Sequence, residues 1–362
     1  MRPQWFGRYS SSYLALLVLL FGVAALVTFA QFRPIRPWLV ARKRRLGVLA
    51  AASLAALATA ELAVRLVDPL GISYFERAAQ YYDDRVADSD LGVRHRRNFR
   101  AVYGGVEYAY NELGLRDPPI AAKRADERRV LVLGDSVTLG SGVAAASTFC
   151  RRLEAMTRDT ARPLRVINAG VGGYNTTQEL AFLRRHGDEL APDALLLVYV
   201  YNDVEPPTRP ADPNAAGFRG KSPPQVVEML LGYSWIYRIF VQVERSTAAE
   251  AERVPRSSPD WQASMRALRS IAAWARGRHL PFGVVYFASL HDPATDEELF
   301  EELGLCAVEE GFPLVDSTVW FGQLDPARWT NSVVDSHPDH HGHQRIAEGI
   351  LDFLRTTGLV DR

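Results

Sequence analysis

The sequence predicts a three-layer α/β/α domain, built on a mainly parallel five-stranded sheet and preceded by a hairpin of two transmembrane helices. From residue 129 onward, short and uniformly apolar segments alternate with amphipathic ones. This pattern is typical of a parallel sheet that helices cover on both faces. Two long apolar runs come before residue 70, and each is long enough to span a membrane. The expected organisation is a hairpin over 1–70, a linker with a short β segment over 71–128, and the α/β domain over 129–362.

Charge is distributed unevenly along the chain. The 362 residues include 42 basic and 42 acidic side chains, which give a formal net charge of zero. Residues 1–70 contain nine basic and two acidic residues, a balance of +7, and the remainder carries −7. A chain-wide basic field suited to a nucleic acid partner is therefore excluded. Only two cysteines and an apolar content of 48% also exclude a disulfide scaffold and a disordered chain.

The first 70 residues are predicted to form the transmembrane hairpin. The first run carries no charge from Tyr9 to Phe32, and the second begins at Leu46 and ends at Asp68. Each run can cross a hydrocarbon layer of about 30 Å. Because a lone hydrophobic run near the N-terminus also fits a cleaved signal peptide, cleavage near Ala30 is the alternative, although the residues before it form a poor cleavage site.

The segment between the two runs predicts the topology of the chain. Residues 33–45 contain six basic side chains in thirteen. Basic loops of this kind stay in the cytoplasm by the positive-inside tendency. We therefore expect an anchor in the inner or plasma membrane of a bacterial cell, contact with membrane lipid, and a catalytic domain outside the cytoplasm.

Residues 71–128 have a mixed composition. The motif Tyr81-Tyr82-Asp83-Asp84 and the basic cluster at 94–97 indicate a solvated linker. Within 101–117 the apolar residues alternate enough to predict a short hairpin.

The α/β region follows the linker in a regular order. Five strands are predicted, at residues 129–135, 164–170, 194–203, 281–290 and 312–316. Helices are predicted at 147–160, 176–190, 261–279, 296–311 and 342–358. Ser147 is expected to open the first of these helices, and Thr176 or Thr177 to cap the second. Cys150 and Cys306 fall within predicted helices, where buried thiols are expected.

An insertion of 55 residues, 204–258, follows the third strand. It is rich in proline at both ends and has an apolar centre at 226–243. The centre is interpreted as a packing helix, a lid over an acyl pocket, or a helix that rests on the membrane.

Polar residues follow the carboxyl ends of the predicted strands, where open parallel sheets bind their ligands. Ser136 follows the first strand, and His337 precedes the last helix. A serine nucleophile needs an imidazole base, a carboxylate that orients the imidazole, and donors for the oxyanion. Ser136, His337 and Asp335 supply the first three groups. The oxyanion donors would be the side chain of Asn202 and the backbone N–H groups of Gly170 and Ser136.

These residues stand in four blocks that resemble the GDSL-type SGNH hydrolases. The blocks are GDSVTLGSGV, VINAGVGGYNT, YVYND and DSHPDHHGH, in the family's order and within residues 129–360. The resemblance implies a flavodoxin-like SGNH fold and a serine esterase that uses no metal and no organic cofactor. It implies acyl or acetyl ester substrates, on carbohydrate or lipid, cleaved through an acyl-enzyme on Ser136. The motif NELGLRD at 111–117 also resembles membrane-anchored members and the O-acetyltransferase-like branch.

Two positions depart from the family pattern. Val200 stands where the third block has a glycine, so its side chain is expected to narrow the pocket. Asp335 lies two residues before His337 instead of three, and Val334 occupies the usual place. The orienting carboxylate is therefore Asp335 if the loop is tight; otherwise the site works as a Ser–His dyad or recruits Asp339 or Asp325.

Three other kinds of site do not fit the sequence. The glycines at 170–173 lack the spacing of a dinucleotide loop, and GDSVT lacks the G-x-S-x-G elbow of α/β-hydrolases. The histidines at 340, 341 and 343 sit at the mouth of a helix, where they cannot all face one zinc ion. Two functions besides hydrolysis stay open: an O-acetyltransferase for an extracytoplasmic glycan, and a catalytically silent glycan-binding protein.

Overall fold

The computed structural model describes most of the chain. The described residues are 4–5, 9–10, 28, 35–68, 72–207, 234–237, 254–290, 297–322, 326–332 and 335–360. They fall into two compact units, Met1–Ile72 with Gly217–Ala251, and Ser73–Ala216 with Glu252–Arg362.

The first unit is dominated by one long helix. Two short strands, β1 (Gln4–Trp5) and β2 (Tyr9–Ser10), pair antiparallel, and helix α1 spans Ile35–Val67. Residues Val40–Val67 of α1 are long and apolar enough to cross a membrane. Apart from β2 and a helical Thr28, the first predicted transmembrane helix lies outside the described residues.

The basic segment predicted as a loop is helical over most of its length. Residues 35–45 form the first turns of α1, in continuity with the apolar run. A proline is tolerated in the first turn of a helix, as at Pro37, and arginine and lysine are good helix formers. The prediction of a loop over these residues was therefore wrong. The sequence changes from basic to apolar at Leu46, but the backbone stays helical across that position.

A short piece of the insertion packs within this first unit. Ser234 Oγ and the backbone N–H groups of Trp235 and Ile236 donate hydrogen bonds to the Glu61 carboxylate, at 2.9, 2.7 and 3.2 Å. Arg65 pairs with Glu61 at 2.9 Å, and its guanidinium lies 5.6 Å from the centre of the Trp235 ring. Residues 234–237 thus contact α1 near its C-terminal end. The remainder of the apolar centre at 226–243 lies outside the described residues.

A compact segment, residues 72–117, precedes the sheet; we call it the N-terminal cap, and from Ser73 onward it belongs to the second unit. It contains helix α2 (Ile72–Asp83) and two antiparallel hairpins, β3 (Val86–Asp88) with β4 (Gly92–Arg94), and β5 (Arg100–Tyr103) with β6 (Val106–Ala109). The predicted hairpin forms, turning at Gly104 and Gly105 with φ of +57° and +82°. Tyr81 and His95 were predicted to be solvated, but both side chains are buried.

The five-stranded sheet is parallel throughout. Its strands are β7 (Arg128–Gly134), β8 (Leu164–Asn168), β9 (Ala194–Tyr199), β10 (Phe282–Tyr286) and β11 (Leu314–Asp316). They lie in the order β11-β10-β9-β7-β8, which confirms the predicted sheet and is the flavodoxin-like order. Every residue of β9 is buried, which explains why the strands show no alternation of polar and apolar residues.

Helices cover both faces of the sheet. The helices are α3 (Ser136–Leu139), α4 (Phe149–Thr157), α5 (Thr176–Leu190), α6 (Pro259–Arg276), α7 (Glu297–Glu310), α8 (Pro326–Trp329) and α9 (His340–Thr356). Helices α5, α6 and α7 share one apolar core with alternate strand residues, and α4 and α9 share the other. Cys150 in α4 and Cys306 in α7 are buried free thiols, as predicted.

Helix α5 begins at Thr176 as predicted, and the starts of α4, α6, α7 and α9 differ from the prediction by one or two residues. Thr148 caps α4 in place of Ser147, Asn175 caps α5 with a reciprocal bond to Gln178, and α9 begins at His340 after the cap Asp339. In each case the capping residue has the extended backbone that lets its side chain reach back to a free N–H.

Candidate active site

Ser136 lies at the turn between β7 and α3. The preceding Asp135 caps α3 by accepting a hydrogen bond from Val137 N at 2.8 Å. Gly134 has a φ of +156°, and a Cβ atom there would lie 2.1 Å from Thr138 Oγ1. A glycine is therefore required for the turn that brings Ser136 to the carboxyl edge of the sheet.

His337 reaches Ser136 from a loop that folds back on itself ahead of α9. Asn331 N donates to His337 O at 2.9 Å, and Asp339 N donates to Trp329 O at 2.9 Å. These bonds hold the ends of the loop together, so its polar residues face the start of α3. His337 Nε2 lies 2.8 Å from Ser136 Oγ, although the two residues are 201 positions apart.

Asp335 is the carboxylate that contacts the imidazole. Its Oδ1 lies 2.6 Å from His337 Nδ1 and also accepts the backbone N–H of His337 at 3.2 Å. Asn331 Nδ2 donates to Oδ2 at 3.2 Å. The carboxylate folds forward over its own loop, which is why a spacing of two residues suffices. Asp339 caps α9 instead, and Val334 and Asp325 lie outside the described residues.

The surroundings of His337 favour its protonated form. Burial by itself lowers the pKa of the imidazole, but the hydrogen bond and the charge of Asp335 outweigh it, with a smaller contribution from Asp135. The pKa of His337 is therefore raised above its usual value. With Nδ1–H donating to Asp335, the neutral ring presents Nε2 as an acceptor for the Ser136 hydroxyl.

The three predicted oxyanion donors gather at the same edge, and two of them have acceptors within the protein. Asn202 Nδ2 donates to Asp135 Oδ2 at 3.2 Å, and Gly170 N donates to Asn168 Oδ1 at 2.9 Å. Ser136 N is the first N–H of α3 and has no acceptor within its helix. A Cβ atom on Gly170 would lie 2.2 Å from Leu139 N, so only glycine lets this loop approach helix α3.

Val200 does not narrow the site. Its side chain is buried in the core that α4 and α9 share with the sheet, and its N–H donates to Asp203 Oδ2 at 2.8 Å. The expectation of a pocket narrowed at this position was wrong, because the backbone directs the side chain into the core.

Comparison with known proteins now decides the family. The model of the GDSL-like Lipase/Acylhydrolase family matches residues 132–345, which is more than half of the chain. The chain belongs to the GDSL-like lipase/acylhydrolase family. It is accordingly an ester-hydrolysing enzyme, as the four motif blocks predicted.

Solved structures with similarity to this GDSL hydrolase include esterases. A two-domain esterase active on acetylated mannans matches with a TM-score of 0.42 and 15% identity, over 64% of this chain and 50% of the other. A lipolytic protein of the G-D-S-L family from Desulfitobacterium hafniense DCB-2 matches with a TM-score of 0.41 and 11% identity, over 64% and 99%. TesA matches with a TM-score of 0.41 and 18% identity, over 64% and 100%. A search of curated proteins finds no match.

The GDSL hydrolase also has site residues that the sequence analysis missed, and several belong to the N-terminal cap. Gly172 N donates to Tyr81 Oη at 2.7 Å, and Arg85 donates to Gly172 O at 2.8 Å. These bonds clamp both backbone groups of Gly172, two residues after Gly170. The sequence signal was weak, since an isolated tyrosine pair in a mixed segment does not reveal a contact 91 residues away.

The motif NELGLRD fixes the loop that follows helix α3 through hydrogen bonds. The Arg116 guanidinium donates to Gly140 O at 2.6 Å, to Val143 O at 2.7 Å and to Leu139 O at 3.2 Å. Asp117 accepts the backbone N–H of Asn168 at 3.1 Å. The motif thus connects the cap to two of the loops that carry predicted site residues.

Two carboxyl groups, those of Glu179 and Asp203, are buried next to the turn formed by the motif YVYND. Asp203 accepts hydrogen bonds from Thr176 Oγ1 at 2.7 Å and from Val200 N, which fixes the turn that carries Asn202. Burial raises the pKa of Asp203 and of Glu179 well above the usual range, and the charge of Asp203 adds to the effect at Glu179.

Proposed function

We propose that the chain is a membrane-anchored serine esterase that hydrolyses carboxylic esters through an acyl-enzyme on Ser136. The observation that carries this proposal is the continuous set of contacts from Ser136 Oγ to His337 Nε2, at 2.8 Å, and from His337 Nδ1 to Asp335 Oδ1, at 2.6 Å. Nucleophile, base and orienting carboxylate within hydrogen-bond reach are what acyl transfer to serine requires.

In the first half of the reaction, Ser136 Oγ attacks the carbonyl carbon while its proton passes to His337 Nε2. The bond from the carbonyl carbon to the alcohol oxygen then breaks, and His337 returns the proton to that oxygen. A water molecule attacks the acyl-enzyme in the second half, with His337 again as base, and releases the acid and the free serine. Asp335 holds Nδ1–H in place and stabilises the imidazolium in both halves.

The oxyanion would be held by Ser136 N–H, by the Asn202 side-chain amide and by Gly170 N–H, which would have to exchange its 2.9 Å bond to Asn168 Oδ1 for the oxyanion. The 3.2 Å bond from Asn202 to Asp135 is at the long end of the hydrogen-bond range, so the amide can exchange this acceptor for a developing oxyanion. Hydrogen bonds of this kind commonly tighten only when the substrate is bound.

The membrane part of the proposal rests on α1. A span over Val40–Val67 supports an anchor, and the basic turns at its N-terminal end favour the cytoplasmic side for that end. Together with the uncharged run from Tyr9 to Phe32, α1 would form the hairpin of 1–70. The linker region 71–128 and the hydrolase domain 129–362 would then lie outside the cytoplasm of a bacterial cell, facing acylated carbohydrate or lipid.

Hydrolysis of p-nitrophenyl acetate tests the chemistry. We expect turnover by the wild type and a loss of roughly 10³-fold or more in kcat for His337→Ala, because Ser136 then lacks its base. His340→Ala is the matched control, since this exposed histidine lies three residues away at the start of α9. Equal turnover by the wild type and His337→Ala would contradict the proposal.

A further inference from the structure

The cavity in front of Ser136 is small and is walled by aromatic side chains of the N-terminal cap. It has a volume of about 50 Å³ and contains Ser136 and His337. Five tyrosines line it: Tyr74, Tyr81 and Tyr82 from α2, Tyr103 from β5 and Tyr108 from β6. Pockets for drug-sized ligands commonly measure about 300–1,000 Å³, so this cavity is far too small for such a molecule.

Three of these tyrosines are fixed through their hydroxyl groups. Tyr81 Oη lies 2.7 Å from His95 Nε2 and accepts from Gly172 N. Tyr103 Oη donates to Asp84 at 2.9 Å, and Tyr108 Oη accepts from Gly142 N at 2.8 Å. Movement of any of these rings would break a buried or half-buried hydrogen bond, so the wall does not readily give way to a larger group.

The rings also support one another. The centre of the Tyr103 ring lies 5.0 Å from that of Tyr108 and 5.7 Å from that of Tyr81, in edge-to-face contacts. The Arg116 guanidinium lies 3.7 Å from the centre of the Tyr108 ring. Edge-to-face contacts of this kind stabilise the packed rings beyond the effect of their buried area.

The two elements of the wall contact each other through Arg77. Gly104, in the turn between β5 and β6, has the Arg77 side chain directly over its backbone, and a Cβ atom there would lie 1.5 Å from Arg77 Cδ. Helix α2 therefore packs closely against the β5–β6 turn at this point, and separation of the two elements would break this contact.

We propose that the N-terminal cap restricts the acyl group of the substrate to the size of an acetyl group. This inference rests on the proposed serine esterase function and specifies its substrate class as acetyl esters. The alcohol part, a carbohydrate or a lipid, is larger than the cavity, so the acyl part is the one that enters it. Each additional methylene would have to displace a tyrosine that is held by hydrogen bonds and by its neighbours.

The test compares p-nitrophenyl acetate, butanoate and octanoate as substrates of the full chain. We expect kcat/KM of the wild type to fall by roughly 100-fold from acetate to octanoate. Tyr103→Ala and Tyr74→Ala remove part of the wall and should raise the octanoate-to-acetate ratio by about 10-fold or more. Tyr74→Phe is the matched control, because it keeps the ring and should keep the wild-type ratio.

The outcomes separate this inference from the function on which it rests. Octanoate turnover as fast as acetate turnover, lost in Ser136→Ala, would overturn the acetyl restriction and leave the serine esterase standing. No turnover of any of the three esters would overturn both. If Tyr103→Ala fails to fold, the half-buried position Tyr74 and the chain-length profile of the wild type still decide the question.

Discussion

At the residue scale, the carboxylate of Asp335 shows how a shortened spacing is accommodated. The same oxygen accepts from the ring and from the backbone of His337, which places the two residues in one tight turn. Two further hydrogen bonds fix the turn. Asn331 Nδ2 donates to Asp335 Oδ2 at 3.2 Å, and Asp335 N donates to Ser332 Oγ at 3.0 Å. A carboxylate that stands two residues before the histidine can therefore contact the imidazole as closely as one that stands three residues before it.

Replacement of this carboxylate should change both the rate and its pH dependence. In Asp335→Asn we expect kcat to fall by roughly 10²–10⁴-fold, because the imidazolium loses its charged partner. Without Asp335, burial dominates and the pKa of His337 falls, so the base stays neutral to lower pH. The acid limb of the kcat/KM profile should therefore move to lower pH.

Asp339→Asn is the matched control for this profile. Asp339 caps α9 through its side chain, and asparagine is an equally good capping residue, so neither the rate nor the acid limb should change. An acid limb in Asp335→Asn at the same pH as in the wild type would contradict the role given to Asp335.

At the scale of elements, helix α1 combines a basic first third with an apolar remainder. The basic turns and the apolar span are one continuous helix of 33 residues. Near the other end, the Glu61 carboxylate accepts hydrogen bonds from Arg65 and from the backbone of Trp235 and Ile236, which removes the cost of an isolated carboxylate in an apolar helix. We propose that the basic turns also set the direction in which α1 crosses a membrane.

Reporter fusions test that direction. A fusion of alkaline phosphatase after Arg362 should be active in a bacterial cell, and a fusion of green fluorescent protein at the same site should be dark, because the proposed topology puts this end outside the cytoplasm. Fusions after Arg45 should give the opposite pair of results. A fluorescent fusion after Arg362 would show that the proposed topology is wrong.

At the scale of the whole molecule, the sheet and the position of Ser136 could be predicted because local patterns determine them. Strand β9 is apolar along its whole length, and a parallel sheet places the ends of its strands at one edge, so Ser136 and Asn202 had to lie near each other. The capping of α4 was missed because Ser147 and Thr148 are both good caps, and only the backbone geometry distinguishes them.

The N-terminal cap could not be predicted because long-range contacts determine it. Tyr81 is buried through bonds to His95 and Gly172, which lie 14 and 91 residues away along the chain. Arg116 is buried and donates to backbone carbonyl groups. Because these acceptors are not acidic side chains, no residue type in the sequence reveals them. Composition therefore indicated a solvated linker where the fold has a wall of the candidate site.

The central claim is that Ser136 is the nucleophile, and covalent labelling tests it most directly. The full chain is treated with a fluorophosphonate probe, digested, and mapped by mass spectrometry. We expect a single phosphonyl adduct on the peptide that contains Ser136, and no adduct in Ser136→Ala that is shown to be folded by circular dichroism. Equal labelling of Ser136→Ala, or an adduct on another residue of the wild type, would contradict the account.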